Sequence, residues 1–169
     1  MRKLPALVAL LGILLCAAPA VAEPQNDPLG DLISKVLSVP GDAVHWVMKA
    51  TLYHKGAKGV GTRDALGCRP VPMRTAAVDR HLAPLHSVLF IPETVGLPMP
   101  DGSTHDGYWY ASDTGGAIKG ERIDLYTGEG SGSMRGAMKL NLKTLTVQRV
   151  GSFDGCPPEG ATPQQYAVR

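Results

Sequence analysis

Short runs of alternating apolar and polar residues follow one another from residue 43 onward. The first run places apolar side chains at every second position, at Val44, Trp46, Met48, Ala50 and Leu52. A period of two puts these side chains on one face of a β-strand. Between loops rich in Gly, Pro and Asp, further apolar runs follow at residues 74–79, 87–91, 108–112, 123–126 and 140–150. The pattern predicts a mainly β domain, a closed or crossed barrel of about six short strands joined by long loops.

Residues 23–42 have a different pattern, typical of a short helix ahead of the barrel. Asp27 and Pro28 form a helix start, with the proline at the first helical position. The apolar residues that follow have helical spacing, at Leu29, Leu32, Ile33, Val36 and Leu37. We therefore expect a helical N-terminal lead-in over residues 23–42, either packed on the domain or acting as a spacer, and one domain over residues 43–169.

Residues 1–22 have the three parts of a secretory signal peptide. Arg2 and Lys3 supply positive charge, residues 6–15 are apolar, and small residues stand at positions 20 and 22. The alternative is a membrane anchor, but a spanning helix needs roughly 20 apolar residues, more than this run supplies. We expect cleavage before Glu23 and export to the periplasm or cell envelope.

Charge and cysteine content narrow the function classes further. The chain has 17 basic and 15 acidic residues. Cleavage of the leader would remove Arg2 and Lys3 but no acidic residue. The remaining chain is balanced in charge, which argues against nucleic acid as a partner. Two cysteines remain after the leader, Cys68 and Cys156, and in an oxidising compartment they can pair. We favour a disulfide over two separate buried thiols, and we expect a monomer.

Two aspartates stand beside a glycine-rich loop in the second half of the chain. Asp113 precedes a Gly-Gly turn, and Asp124 lies between Ile123 and Leu125 on a predicted strand. Burial disfavours the charged form of a carboxyl and raises its pKa, and a carboxyl poised in this way can act as a general acid. The alternative is structural, because aspartates at turns commonly cap their own backbone. The loop lacks the ending of a phosphate-binding P-loop.

The run SDTGGAIKGERIDLYTG at residues 112–128 resembles the signature of the three-aspartate (3D) domain, found in the membrane-bound lytic murein transglycosylase A family. Upstream, the run TAAVD at residues 75–79 resembles the first aspartate element of that domain. The resemblance extends over about residues 48–134. It implies a six-stranded double-psi β-barrel, with Asp79, Asp113 and Asp124 as the three aspartates.

The resemblance also implies roles for individual residues. Asp124 corresponds to the catalytic acid, Asp113 assists it, and Asp79 belongs to the supporting network of the barrel. The residues that the resemblance assigns to support or to a sugar-binding groove are Thr51, Tyr53, Thr114, Gly115, Gly116 and Lys119.

The implied reaction uses one decisive carboxylate, whereas hydrolytic glycosidases generally use two. Asp124 would protonate the oxygen linking N-acetylmuramic acid (MurNAc) to N-acetylglucosamine (GlcNAc). It would then take the proton from the 6-hydroxyl as that oxygen attacks the anomeric carbon. The product is a 1,6-anhydromuramic end. The implied partner is the peptidoglycan glycan strand, and we expect no cofactor.

The larger enzymes of this family bind the glycan between the barrel and a second domain, for which we expect no room here. We expect residues 93–106 and the tail after Gly151 to form a shallower groove. This leaves a partner protein in the envelope, or a non-catalytic binding or wall-loosening module, as alternatives. We expect at most one of Trp109 and Tyr110 to face a ligand, with the other in the core.

Metal binding is the least favoured class. Clustered carboxylates can hold Ca²⁺, but the three aspartates are far apart in the sequence. No metal-ligand spacing relates the five histidines, His45, His54, His81, His86 and His105. We therefore expect no metal site. His54 and His105 are candidates for contact with a ligand, but we favour surface positions for them.

Overall fold

The computed structural model describes residues 44–158, and these residues form six β-strands. In chain order the strands are β1 (His45–Lys55), β2 (Thr75–Val78), β3 (Ser87–Phe90), β4 (Tyr108–Asp113), β5 (Arg122–Glu129) and β6 (Thr144–Ser152). Two 3₁₀ segments complete the regular structure, at Pro92–Thr94 and Ser131–Leu140. The predicted leader and N-terminal helix lie outside the described residues. Within the described part of the chain, no helix is long and apolar enough to cross a membrane.

The strands close into a barrel in the order β1-β5-β2-β4-β3-β6. β5 is parallel to β1 and antiparallel to β2, and β2 is parallel to β4. β3 and β6 are antiparallel to their neighbours and complete the ring. The predicted mainly β fold is therefore confirmed as a six-stranded closed barrel. The double-psi pattern of connections stays an expectation from the resemblance.

The interior of the barrel follows from the period-two pattern of the strands. In β1 the buried positions alternate with exposed ones through Trp46, Met48 and Ala50. These side chains join one core cluster with Leu89 and Ile123 from β3 and β5. Each Å² of apolar surface buried in such a core stabilises the folded state by about 25 cal/mol. This burial is the main stabilising contribution to the barrel.

Trp109 and Tyr110 point to opposite sides of β4, as adjacent residues of a strand must. Trp109 lies in the main core, while Tyr110 packs edge-on against Phe153, with ring centroids 5.1 Å apart. Both side chains are fully buried. The predicted core position of one aromatic is confirmed, and neither side chain faces a ligand groove.

His105 is buried, so the expected surface position was wrong for this histidine. Its ring stacks on Trp109, with centroids 4.8 Å apart. Nδ1 accepts a hydrogen bond from the Gly107 amide (2.8 Å), so Nε2 carries the proton and donates to the Met73 carbonyl (2.7 Å). Burial, aided by the positive charge of Arg74, lowers the pKa of His105 to about 4. The loop thus folds back onto β4, where its imidazole satisfies buried backbone groups.

The last apolar run of the sequence is divided into two elements. Residues 140–150 were predicted as one strand, but the chain forms the 3₁₀ segment Ser131–Leu140 and then β6. Leu140 is buried at the end of the 3₁₀ segment, and Leu142 turns the chain with a φ of 62°. The apolar run continues through both elements, which is why a single strand fitted the pattern.

Cys68 and Cys156 form a disulfide, with 5.6 Å between their Cα atoms. The bridge expected from the sequence is thus present. It ties the loop between β1 and β2 to the segment that follows β6.

Candidate active site

Four strands place a row of side chains across one part of the barrel wall. In the strand register, Thr51 of β1 lies beside Asp124 of β5, and Asp124 lies opposite Ala77 of β2. The flanking residues of β5, Ile123 and Leu125, lie in the core, so Asp124 points outward. Because Asp124 stands between two apolar residues on a strand, its carboxyl points away from the core.

Asp113 joins the row through an irregularity in the pairing of β2 with β4. Ala76 pairs with Ala111, but Ala77 pairs with Asp113, so the register skips Ser112. A bulge of this kind re-aims a side chain at the end of a strand. Ala77 thus lies between the two aspartates in the register, and its small side chain leaves the space between them open.

Asp124 is half-buried, and its Oδ1 atom has no hydrogen-bond partner among the described residues. Burial raises the pKa of this carboxyl, and the negative charge of Asp113 raises it further. A hydrogen bond from the Thr51 side chain acts in the opposite direction and lowers the pKa. A carboxyl with a raised pKa holds its proton to higher pH than a free one, which suits the role of a general acid.

Asp113 is held by three hydrogen-bond donors. The Tyr53 hydroxyl donates to Oδ2 (2.8 Å), and the amides of Thr114 (2.8 Å) and Ala65 (3.1 Å) donate to Oδ1. All three contacts use the carboxylate as an acceptor, which is the role of the ionised form. Asp113 therefore supplies a fixed negative charge beside Asp124.

Tyr53 connects the two ends of the row. Its ring is buried and packs against Tyr126, with centroids 5.1 Å apart. Burial and the neighbouring charge of Asp113 raise the pKa of the phenol well above its usual range. The hydroxyl therefore stays a neutral donor to Asp113.

The loop between β1 and β2 forms a wall that the sequence reasoning missed. Asp64 is buried in this loop, and its Oδ1 accepts hydrogen bonds from the amides of Leu66 (3.1 Å) and Cys68 (2.8 Å). The next residue, Ala65, donates to Asp113 as described above, and Leu66 donates to the Ser112 carbonyl (3.3 Å). The disulfide at Cys68 anchors this loop. Asp64 and the nearby Gly67 signal a turn, but the contact of this loop with β4 depends on tertiary structure.

A groove of about 300 Å³ lies over the row. It is lined by Asp113, Asp124 and Tyr53, by residues 59–61 and 63–65 of the loop between β1 and β2, and by Thr114 and Gly115, among others. Residues 93–106 do not line it, so the expected wall was wrong for this segment. Residues 152–158 do not line it either, and the rest of the tail lies outside the described residues. Residues 93–106 instead contribute Leu97 to the main core, and Asp106 forms an ion pair with Arg74.

Asp79 lies apart from this groove and ties two loops together. Its Oδ2 accepts a hydrogen bond from the Gly120 amide (2.8 Å), and its Oδ1 accepts one from the His81 amide (3.0 Å). These two bonds lower the pKa of Asp79, and the charge of Lys119 adds to the effect. Asp79 is therefore an ionised anchor for the glycine-rich loop.

Comparison with known proteins identifies part of this chain. Residues 74–148 match the family model of the 3D domain. The matched residues, which are less than half of the chain, are thus similar to the 3D domain. No curated protein sequence matches the chain.

Solved structures similar to part of this chain include the following three proteins. MltA from Escherichia coli with bound chitohexaose is 23% identical, with a TM-score of 0.39 over 54% of this chain and 28% of that chain. LtgG, a lytic transglycosylase of Burkholderia pseudomallei, is 29% identical, with a TM-score of 0.37 over 54% of this chain and 26% of that chain. A membrane-bound lytic murein transglycosylase from Agrobacterium tumefaciens is 30% identical, with a TM-score of 0.38 over 51% of this chain and 25% of that chain. This chain matches about a quarter of the length of each of them.

The residues expected at the site of the 3D domain fall into two groups. Asp113, Asp124, Tyr53, Thr114 and Gly115 line the groove, and Thr51 contacts Asp124 from the neighbouring strand. The second group lies beside it, where Gly116 and Lys119 line another cavity and Asp79 anchors the loop.

The same geometry bears on the metal alternative. Among residues 44–158, no group of three or more His, Cys, Asp or Glu side chains is arranged to hold a metal ion.

Proposed function

We propose that this protein is an exported peptidoglycan lytic transglycosylase. It cleaves the β-1,4 bond between MurNAc and GlcNAc and leaves a 1,6-anhydromuramic end. The observation that carries the proposal is the pair of unlike carboxyls in the groove: Asp124 has a raised pKa, and Asp113 is fixed as an acceptor. The match of residues 74–148 to the 3D domain supports it.

In the first step Asp124 donates its proton to the glycosidic oxygen. The bond from the anomeric carbon to that oxygen breaks, and GlcNAc leaves with a hydroxyl group. Positive charge develops on the muramic ring, and the fixed carboxylate of Asp113 stabilises it electrostatically. Asp113 is less suited than Asp124 to be the donor, because three hydrogen-bond donors engage its oxygens and favour its ionised form.

In the second step Asp124, now ionised, accepts the proton of the 6-hydroxyl of the muramic acid. The 6-oxygen bonds to the anomeric carbon, and Asp124 regains its proton for the next cycle. Because the nucleophile belongs to the same sugar ring, the attack is intramolecular and needs no bound water. One carboxyl thus serves as acid and then as base.

The cell envelope is the proposed location, since peptidoglycan is found there. The leader expected at residues 1–22 would direct export. The disulfide between Cys68 and Cys156 supports the same location, because such bonds persist in oxidising compartments.

Digestion of purified peptidoglycan by residues 23–169 tests the proposal, with soluble products identified by mass spectrometry. Asp124→Asn removes the proton donor, and we expect about 100-fold or greater loss of product, since general acid catalysis contributes roughly 10²–10⁴-fold. Asp154→Asn, at an exposed position outside the groove, is the matched control and should keep full activity. If all three proteins bind the wall and none releases anhydromuramic products, the chain is a binding module.

A further inference from the structure

A second cavity of about 290 Å³ adjoins the groove. Thr114 and Gly115 line both spaces, so a ligand can extend from one into the other. The second cavity carries basic side chains: Arg80, His81 and Lys119. We propose that this cavity binds a carboxylate of the peptide stem of peptidoglycan. The inference rests on the proposed function and names the part of the substrate that the protein recognises beside the glycan.

The loops that carry the basic residues are fixed relative to each other. Asp79 accepts hydrogen bonds from the His81 and Gly120 amides, which belong to the two loops that border the cavity. Both oxygens of Asp79 are therefore engaged by backbone groups. Arg80 and Lys119 are exposed and bring two positive charges against this one negative charge. The cavity keeps net positive charge on a fixed frame, which suits an anionic ligand.

The floor of the cavity leaves room for a ligand. Gly116 lines it, and a Cβ atom added there would meet nothing within 4 Å. At Gly115 an added Cβ would lie 2.7 Å from Cγ1 of Ile118, so only glycine fits this loop. The absence of side chains at these two positions lets a ligand approach the backbone closely.

The charges of the two spaces differ in sign and match the two parts of peptidoglycan. The groove is lined by three carboxyls, Asp64, Asp113 and Asp124, against one guanidinium, that of Arg63, which donates a hydrogen bond to the Gly67 carbonyl. The acidic side chains outnumber the basic one, so the groove suits an uncharged sugar better than an acidic peptide. The stem begins at the lactyl group of the muramic acid, close to the scissile bond, and carries free carboxylates. A basic space next to the groove is where those carboxylates would be attracted.

Binding of two forms of the same soluble glycan strands tests the inference. One form carries peptide stems, and the other has had them removed with an amidase. The Asp124→Asn protein is used so that the strands stay intact, and affinities are measured by calorimetry. We expect the affinity for the stem-bearing form to be higher by about ten-fold or more, because charge-assisted hydrogen bonds are among the strongest hydrogen bonds in proteins. This preference should decrease as salt is raised.

Variants in the same Asp124→Asn background show which side chains cause the preference for stem-bearing strands. Arg80→Gln with Lys119→Gln should bind both forms with equal affinity. The control pair Arg135→Gln with Lys139→Gln removes the same charge at exposed positions outside the cavity and should keep the preference.

Each contrary outcome has a distinct meaning. If the parent protein binds both forms equally, the inference is wrong while the proposed function stands. If the preference survives in Arg80→Gln with Lys119→Gln, the stem binds elsewhere and the assignment of this cavity is wrong. If neither form binds, the proposed function and the inference fail together.

Discussion

Loss of the disulfide between Cys68 and Cys156 should lower stability by an amount set by the length of the loop it closes. The two residues are separated by 88 positions in the sequence. In the chain-entropy model, closing a loop of this length stabilises the folded state by about 4.6 kcal/mol at 25 °C. Neither cysteine belongs to a strand, so Cys68→Ala with Cys156→Ala leaves the hydrogen bonds between the strands intact.

Urea unfolding followed by tryptophan fluorescence measures this loss. Both tryptophans, Trp46 and Trp109, are buried and will become exposed on unfolding. We expect the double variant to lose about 4–5 kcal/mol of unfolding free energy, and its melting temperature to fall by roughly 10–20 °C. Reducing agent should destabilise the parent protein similarly and leave the variant unchanged. A loss below about 1 kcal/mol would refute the reasoning, since the closed loop would then not restrict the unfolded chain.

Three further predictions concern the buried and groove residues. The pKa of His105 is lowered to about 4, so the unfolded chain binds a proton more readily than the folded one as pH falls from 6.5 to 4. Stability should therefore drop by about 3 kcal/mol across this window in urea titrations, and His105→Gln should remove that part of the pH dependence. Asp124→Asn should raise the melting temperature at pH 7, because the raised pKa makes ionisation of the buried carboxyl costly in the folded state. The gain should vanish at acid pH, where Asp124 is protonated in both states; an equal gain at every pH would contradict this cause. Tyr53→Phe removes a donor to Asp113 and should lower kcat about ten-fold with an unchanged pattern of products; an unchanged kcat would show that this hydrogen bond is not needed.

The strands were predictable because their pattern is local. The alternation through Trp46, Met48 and Ala50 defines β1, and its inward face is the one expected. The other strands begin or end within a few residues of the predicted runs, except that β6 starts at Thr144 and not at residue 140. There the apolar pattern begins in the 3₁₀ segment and continues into β6, so it does not indicate where the strand begins.

The site was predictable only in part, because its geometry depends on contacts distant in sequence. The motif resemblance suggested Asp113 and Asp124, and the structure places them on either side of Ala77 in the strand register. The bulge that aligns Asp113 arises from strand pairing, and the wall at residues 59–65 depends on the Ala65–Asp113 hydrogen bond. No local pattern encodes either contact.

His105 illustrates the same limit for a single side chain. A histidine in a polar loop is usually exposed, yet this ring stacks on Trp109 and bonds the backbone at Met73 and Gly107. Gly107 and Trp109 are close to His105 in the sequence, but Met73 lies 32 positions away, in the loop before β2. The buried position therefore depends on a contact that the neighbouring sequence does not encode.

The central claim is that Asp124 drives an intramolecular cleavage that consumes no water. Digestion of peptidoglycan in water enriched with ¹⁸O tests it most directly, with the parent protein beside Asp124→Asn and products read by mass spectrometry. The account predicts 1,6-anhydromuramic products without ¹⁸O from the parent, and about 100-fold less product from the variant. Reducing ends that carry ¹⁸O, or full activity of Asp124→Asn, would contradict it.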